Sequence, residues 1–167
     1  MRQEDKITEK SSLYHHLESK SVGELLEDIN REDHKVADAV KEALPQIEAL
    51  VVEAEKRMKR GGRVFYIGAG TSGRLGVLDA SELPPTFGVP STLVSGLIAG
   101  GDTALRNAVE NAEDMTAQGW ADLQKFEPTA DDTLIGIAAS GTTPYVIGAI
   151  REARAHHMLT GCITSNP

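Results

Sequence analysis

Two segments of this 167-residue chain gather hydroxyl groups in a pattern suited to holding a phosphate. The first is GAGTSG, in which Gly68, Gly70 and Gly73 bracket Thr71 and Ser72 directly after an apolar run. The second places Ser140, Gly141, Thr142 and Thr143 after another apolar run and just before Pro144, a residue suited to the first position of a helix. Backbone N–H groups at a helix N-terminus carry partial positive charge, and neighbouring hydroxyls add donors, so each segment is a ready site for a phosphate monoester. The glycine spacing also fits a dinucleotide-binding turn. That chemistry calls for an acidic residue near the end of the next strand, and here the strand ends Ser95-Gly96-Leu97. Asp102 comes too late and reads as a helix N-cap. No GxxxxGK[ST] sequence is present for a nucleoside triphosphate.

Carboxylates near these segments could move protons. Glu82 follows Asp79-Ala80-Ser81 and precedes Pro84-Pro85, an apolar stop expected to desolvate it in part. Glu110, Glu113 and Asp114 form a charged cluster on a helix expected after Asp102, with Leu105, Ala108, Val109 and Ala112 as its buried stripe. Like charges at this spacing cost about 0.2 to 0.5 kcal/mol per pair, so keeping them together hints at use. The pairs His15-His16 and His156-His157 lack the spacing of a zinc site, and no metal is expected. Cys162 falls in an apolar run and reads as an inert core thiol.

Positioning these groups requires a particular order of elements. Residues Met1 to Lys20 read as an arm that orders by docking elsewhere. Ser21 and Glu24 match a capping box ahead of Val22, Leu25, Leu26 and Ile29, which predicts a short amphipathic helix. A longer helical pattern runs from Val36 through Val40, Leu44, Ile47 and Val51 to Met58. Pro45 should kink or divide it, and Gly61-Gly62 should end it. The period then changes. RVFYIGAG from Arg63, TLVSGLIAG from Thr92, TLIGIAAS from Thr133 and LTGCITS from Leu159 are strand-sized runs separated by helical segments. Such alternation predicts an α/β fold of right-handed βαβ units with a parallel sheet covered on both faces. The expected division is an N-terminal arm with helices over residues 1–60 and a phosphate-binding domain over 61–167.

Bulk properties narrow the partners. Asp and Glu number 25 against 17 Lys and Arg, a net charge of −8 that argues against nucleic acid or an anionic membrane surface. No apolar run approaches the ~20 residues that span a bilayer, and a single cysteine suits a reducing, cytoplasmic setting.

The segments GAGTSGRLGVLDASELPPTFGV, VSGLIAGGDTAL, ENAEDM and AASGTTPYVIGAIREAR, with the EDKITE opening and the closing SNP, resemble N-acetylmuramic acid 6-phosphate etherases. That resemblance implies a sugar-isomerase (SIS) domain, a three-layer αβα sandwich with a parallel sheet of flavodoxin-like type, acting as a homodimer in cell-wall sugar recycling. The implied reaction cleaves the D-lactyl ether of N-acetylmuramic acid 6-phosphate, giving N-acetylglucosamine 6-phosphate and D-lactate without a cofactor. It also implies that Glu82 and Glu113 are the catalytic pair, Glu82 as acid and Glu113 as base, although the sequence itself leaves their order open. Gly70, Thr71, Ser72, Ser140, Gly141, Thr142 and Thr143 would bind the sugar 6-phosphate. Thr142 stands where the family usually carries arginine. Family members run well past the SNP segment, so the chain is expected to be an incomplete, C-terminally truncated form of one. A non-catalytic sugar-phosphate-binding regulator resembling the glucokinase regulatory protein, or an aldose–ketose isomerase, would share the fold.

Overall fold

The computed structural model describes residues 10–166; the EDKITE opening and Pro167 lie outside the described residues. Two compact units divide the chain, one ending at Val52 and the other starting at Glu53. In the first, helix α1 begins at Val22, and it continues without interruption to Met58. Its start is capped as the sequence predicts: the Ser21 N–H donates to Glu24 Oε2 at 2.8 Å and the Glu24 N–H to Ser21 Oγ at 3.3 Å. The described part of the N-terminal arm docks on this helix. The Tyr14 hydroxyl donates to Glu32 Oε1 at 2.6 Å, and Lys20 pairs with Asp28.

Two sequence expectations therefore merge into one element, since Pro45 lies within α1 without dividing it. Proline removes one N–H donor from the helical ladder, which orphans the carbonyl four residues earlier. Both Pro45 and Lys41 are exposed, so water can take up that carbonyl.

The second unit carries the sheet. Strands β1 (Val64–Gly68), β2 (Val94–Ile98), β3 (Thr133–Ile137) and β4 (Leu159–Ile163) occupy the four predicted runs. They pair in parallel in the order β2-β1-β3-β4. Parallel neighbours need crossovers, and the helices α2 (Gly70–Phe87), α3 (Thr103–Arg106), α4 (Gln118–Gln124) and α5 (Pro144–Ala155) lie in them.

Strand alternation sorts the helices onto two faces. Tyr66 is in register with Gly96, and a Cβ on Gly96 would lie 2.6 Å from Val77 of α2. The next residue along, Ile67, is in register with Gly136, whose Cβ would meet Val146 and Ile150 of α5 at 2.7 and 2.6 Å. Helix α2 thus covers one face and α5 the other, with α4 packed against α5. The main core lies on the α5 side, where Phe65, Ile67, Leu134, Leu123, Tyr145, Val146 and Ala149 are buried.

Three local expectations are corrected. The helix after Asp102 stops at Arg106, and Ala112–Asp114 form a separate 3-10 turn entered through Asn111 in the left-handed region (φ 59°). Of its predicted stripe only Ala112 is buried, while Ala108 and Val109 are exposed. Pro84 and Pro85 do not stop α2, which continues to Phe87 and ends where the Gly88 N–H bonds to the Pro84 carbonyl at 2.9 Å. Cys162 is exposed, because β4 is an edge strand of this sheet rather than an internal one.

At the N-terminal edge of the sheet, Asp132 is 1% exposed and ties β3 to the start of β1. Its Oδ1 accepts the Arg63 backbone N–H at 2.7 Å, and its Oδ2 accepts Arg63 Nη2 at 2.8 Å and the Thr129 N–H at 2.8 Å. Burial by itself would raise this carboxyl's pKa, yet the donors from Arg63 and Thr129 outweigh it and hold the pKa below the ordinary value. A depressed folded pKa contributes stability that is present above the unfolded value and is lost as pH falls through the folded one. Replacing Asp132 with Asn should cost about 2 to 4 kcal/mol in urea unfolding at pH 7. Below pH 4 the parent should lose this contribution, and the difference between parent and variant should shrink.

Candidate functional site

The GAGTSG segment becomes the sharp turn from β1 into α2. Gly70 occupies φ 54°, a left-handed value that suits glycine. The turn is tight because a Cβ on Gly68 would lie 2.6 Å from the Gly73 nitrogen, and one on Gly73 would lie 2.6 Å from Ile98 Cγ1. Both positions need hydrogen where other residues carry carbon. The result fixes the first turn of an 18-residue helix against the ends of β1 and β2. Ala69 stands at its N-cap and has no side-chain oxygen, so the first-turn N–H groups receive no cap from it. Thr71 is exposed and Ser72 half-buried beside those N–H groups.

The second hydroxyl segment leaves the neighbouring strand at the same sheet edge, since Gly68 and Ile137 are in register. Gly141 takes φ 68°. The Ser140 hydroxyl oxygen accepts the Thr142 N–H and the Thr142 hydroxyl, both at 3.2 Å, which leaves its own hydrogen for another acceptor. Thr143 caps α5 in an extended conformation, with Pro144 at the first helical position. The segment after β4 braces this loop: the Ala139 carbonyl accepts Asn166 Nδ2 at 3.0 Å and the Ser165 N–H at 3.1 Å. Because β2 and β4 lie on opposite sides of the β1–β3 pair, the two loops flank the point where strand order reverses. That is where open α/β sheets bind ligands.

Beside the first loop is a cavity of about 200 Å³ lined by Ala69, Gly70, Arg74, Glu110 and Glu113 among others. Glu113 reaches it from the 3-10 turn set by Asn111, so the corrected shape of that segment is what aims the carboxylate. Arg74 Nε donates to the Leu105 carbonyl at 3.1 Å, which ties α2 to the segment leading toward Glu113. Arg74 is absent from the residues that motif reading selects. Its signal is that it is the one basic residue between Gly68 and Gly88, in an acidic chain whose anionic ligand would need local positive charge.

Glu82 does not join this group within one chain. It is exposed, and it lies twelve residues beyond Gly70 along α2, which at helical rise is about 18 Å. The expected desolvation by Pro84-Pro85 does not occur, since those residues extend the helix instead of folding over it.

A larger cavity of about 710 Å³ opens beside β2 and touches neither Thr71, Ser72 nor Ser140. Its polar centre is already paired. Asp122 accepts the Tyr145 hydroxyl at 2.9 Å, Gln118 Nε2 at 2.9 Å and Lys125 Nζ at 2.8 Å. Burial and this hydrogen bond push the Tyr145 phenol well above its ordinary pKa, so it is a fixed donor in the core. The smaller cavity instead gathers Arg74, Glu110 and Glu113 beside the first hydroxyl loop. Among the described residues no group of three or more His, Cys, Asp or Glu is placed to hold a metal ion, and no helix is long and apolar enough to cross a membrane.

Comparison with known proteins adds relatives to this geometry. The sequence pattern of the glucokinase regulatory protein N-terminal SIS domain matches residues 44–154. The chain is 70% identical over 162 residues to an N-acetylmuramic acid 6-phosphate etherase of Bacteroides thetaiotaomicron, covering 97% of this chain and 58% of that protein. An etherase of Porphyromonas gingivalis is 67% identical, with 97% and 59% covered. The chain thus spans a little under three fifths of the length of these relatives. Among solved structures, the phosphoheptose isomerase of Neisseria gonorrhoeae aligns with a TM-score of 0.57 at 21% identity, covering 84% of this chain and 74% of that one. That of Francisella tularensis aligns at 0.60 and 24%, covering 83% and 74%. At these identities the two structures establish the fold.

The turn makes a direct prediction. Gly73→Ala must push its methyl into Ile98 or the Gly68 carbonyl, 2.8 Å away, and should destabilise the protein by about 1 to 3 kcal/mol. Gly70→Ala meets no atom within 4 Å and should cost about 1 kcal/mol, from backbone conformation alone. Urea midpoints of the two variants measure the difference.

Proposed function

Because the chain belongs to the family of glucokinase regulatory protein N-terminal SIS domains, we propose that it is the sugar-phosphate-binding part of an N-acetylmuramic acid 6-phosphate etherase, a carbon–oxygen lyase of cytoplasmic cell-wall sugar recycling. The observation that carries this reading is the convergence of Glu113, Arg74 and the N-terminus of α2 on one cavity. High identity to named etherases over nearly the whole chain supports the choice of substrate.

In this reading the 6-phosphate rests on the N–H groups and hydroxyls of Gly70, Thr71 and Ser72, with Ser140, Gly141, Thr142 and Thr143 closing from the neighbouring loop. Two helix N-termini and Arg74 offset the charge of the anion in a chain of net charge −8. Thr142 already bonds to Ser140 and so shapes that loop.

The open-chain sugar has an aldehyde at C1, a proton on C2 and the lactyl oxygen on C3. Glu113 removes the C2 proton, and the electron pair delocalises into the C1 carbonyl as an enolate. That pair then forms the C2–C3 double bond as the C3–O bond breaks, and Glu82 protonates the departing lactate oxygen. Water next adds its oxygen to C3 and a proton returns to C2. The products are N-acetylglucosamine 6-phosphate and D-lactate, and the balance needs only one base, one acid and water.

Each step has its own test. Ser72→Ala should weaken calorimetric binding of the phosphorylated sugar about 3- to 10-fold, equivalent to about 0.5 to 1.5 kcal/mol. Affinity for the unphosphorylated sugar should not change. In a preparation that releases lactate, Glu113→Gln should slow both C2 proton exchange in deuterated water and lactate release by about 10² to 10⁴-fold. Glu82→Gln should suppress lactate release more than exchange, because the enolate still forms while the leaving group lacks its proton. If both variants release lactate at the parent rate, the two-carboxylate mechanism fails; if no lactate is released although the phosphorylated sugar binds, a non-catalytic sugar-phosphate-binding regulator replaces the etherase reading.

A further inference from the structure

Arg74 has no carboxylate partner among the described residues, although Glu110 and Glu113 line the same cavity. Its Nε donates to the Leu105 carbonyl at 3.1 Å, which fixes the guanidinium against the end of α3. The four N–H groups of Nη1 and Nη2 remain for another acceptor.

The cavity lies to one side of the first hydroxyl loop. Besides Ala69, Gly70 and Arg74, its lining comes from the chain that follows β2, between Ala99 and Glu113, and no residue of the second hydroxyl loop takes part. Strands β2 and β3 flank β1 on opposite sides. A phosphate held between Thr71-Ser72 and Ser140 therefore sits toward β3, whereas Arg74 reaches toward the segment after β2. This placement suits a second anionic group better than the phosphate.

We propose that Arg74 binds the lactyl carboxylate of N-acetylmuramic acid 6-phosphate and makes the site selective for sugars that carry it. The inference rests on the etherase reading and deepens it. In that reading Glu113 acts at C2 and the lactyl ether hangs from C3, the next carbon, so the lactyl group lies in the space that Glu113 borders. At about 200 Å³ that space is below the ~300 Å³ at which pockets for whole small molecules begin, which suits one substituent of a sugar held mainly by its phosphate. Nη1 and Nη2 can offer two parallel N–H···O bonds to a carboxylate, a match in shape as well as charge. Glu110 and Glu113 would repel a third carboxylate in so small a space, and the unpaired guanidinium offsets that repulsion. Once the ether breaks, the remaining sugar has lost this anchor. N-acetylglucosamine 6-phosphate should then bind more weakly than the substrate and leave.

Calorimetry with unreactive ligands tests the contact without turnover. Reduction of C1 to the alcohol removes the carbonyl that acidifies the C2 proton, so C1-reduced N-acetylmuramic acid 6-phosphate binds without eliminating lactate. Its lactamide, with a neutral amide in place of the carboxylate, has nearly the same shape. The parent should prefer the acid by about 10- to 100-fold, the range for hydrogen bonds to a charged group. In Arg74→Met that preference should fall to about 2-fold or less, since the partner of the carboxylate is gone. Arg74→Lys keeps the charge, loses the fork and should retain only part of the preference. C1-reduced N-acetylglucosamine 6-phosphate, which lacks the lactyl group, shows whether each variant still holds the phosphate; if Arg74→Met does not, Arg74→Lys decides. A parent that binds acid and amide alike overturns the proposal, and so does a phosphate-binding variant that keeps the full parental preference. A parent that binds none of the three sugars removes the etherase reading itself, and this inference with it.

Discussion

The close approach of α2 to the sheet is the constraint on which this unit depends. Gly68 and Gly73 let the first turn of the helix sit against the end of β1, while Gly76 and Gly96 let the rest of it lie nearly on the backbone. Side chains at these positions would have to share space with Ile98, Tyr66 and Val77. Because the helix has no room to shift, its N-terminal N–H groups stay at the edge of the sheet. A phosphate site built on main-chain donors is only as well placed as the chain that carries them, and glycine contacts would set the placement of the one proposed here.

The two faces of the sheet are consequently different. On the α5 side, large residues such as Phe65, Leu134 and Tyr145 fill the interior, and α4 adds Leu123. On the α2 side the helix uses Gly73, Gly76 and Ala80 and leaves Leu75 and Leu78 facing outward. Burial of apolar area therefore stabilises the fold mainly from one face. The opposite face carries the loop proposed to bind the phosphate and leaves these two leucines exposed. At the far edge, Asp132 and Arg63 join the starts of β1 and β3, so a buried charge pair organises the strands away from the hydroxyl loops.

Charge placement follows the same division. The chain is acidic, yet the loop region combines two helix N-termini with the Arg74 guanidinium. Glu110 and Glu113 line the same cavity as Arg74, so acidic and basic groups share a small space beside main-chain donors. In the proposed site an anionic sugar and a proton-abstracting carboxylate would coexist, the phosphate on donors at the helix end and the carboxylate on the separate turn set by Asn111. The remote position of Glu82 is the one feature of a single chain that does not suit two-carboxylate chemistry.

Local pattern was enough for the strands, the hydroxyl loops and the capped start of α1. Four short apolar runs bounded by glycine or polar residues became β1 to β4, and GAGTSG and SGTTP became the turns beyond β1 and β3, because these signals act within a few residues. The sequence also showed that Glu82 and Glu113 were present, without showing whether they could meet. Their distance depends on α2 running unbroken from Gly70 to Glu82 and on how the chain turns at Asn111, and both are settled by packing against the rest of the unit. Pro45 and Pro84-Pro85 misled for a related reason. Proline's local cost is real, yet the carbonyl that Pro45 orphans belongs to exposed Lys41 and can be hydrated, and both helices retain their other hydrogen bonds. The sequence marks Arg74 only as the one basic residue between Gly68 and Gly88, and its place, like the exposure of Cys162, depends on tertiary neighbours: on what surrounds the side chain and on which strand lies at the edge of the sheet. Residue types and short spacings determined what chemistry the chain could attempt. Tertiary structure alone decided which groups share a cavity, because that requires distances between segments far apart in sequence.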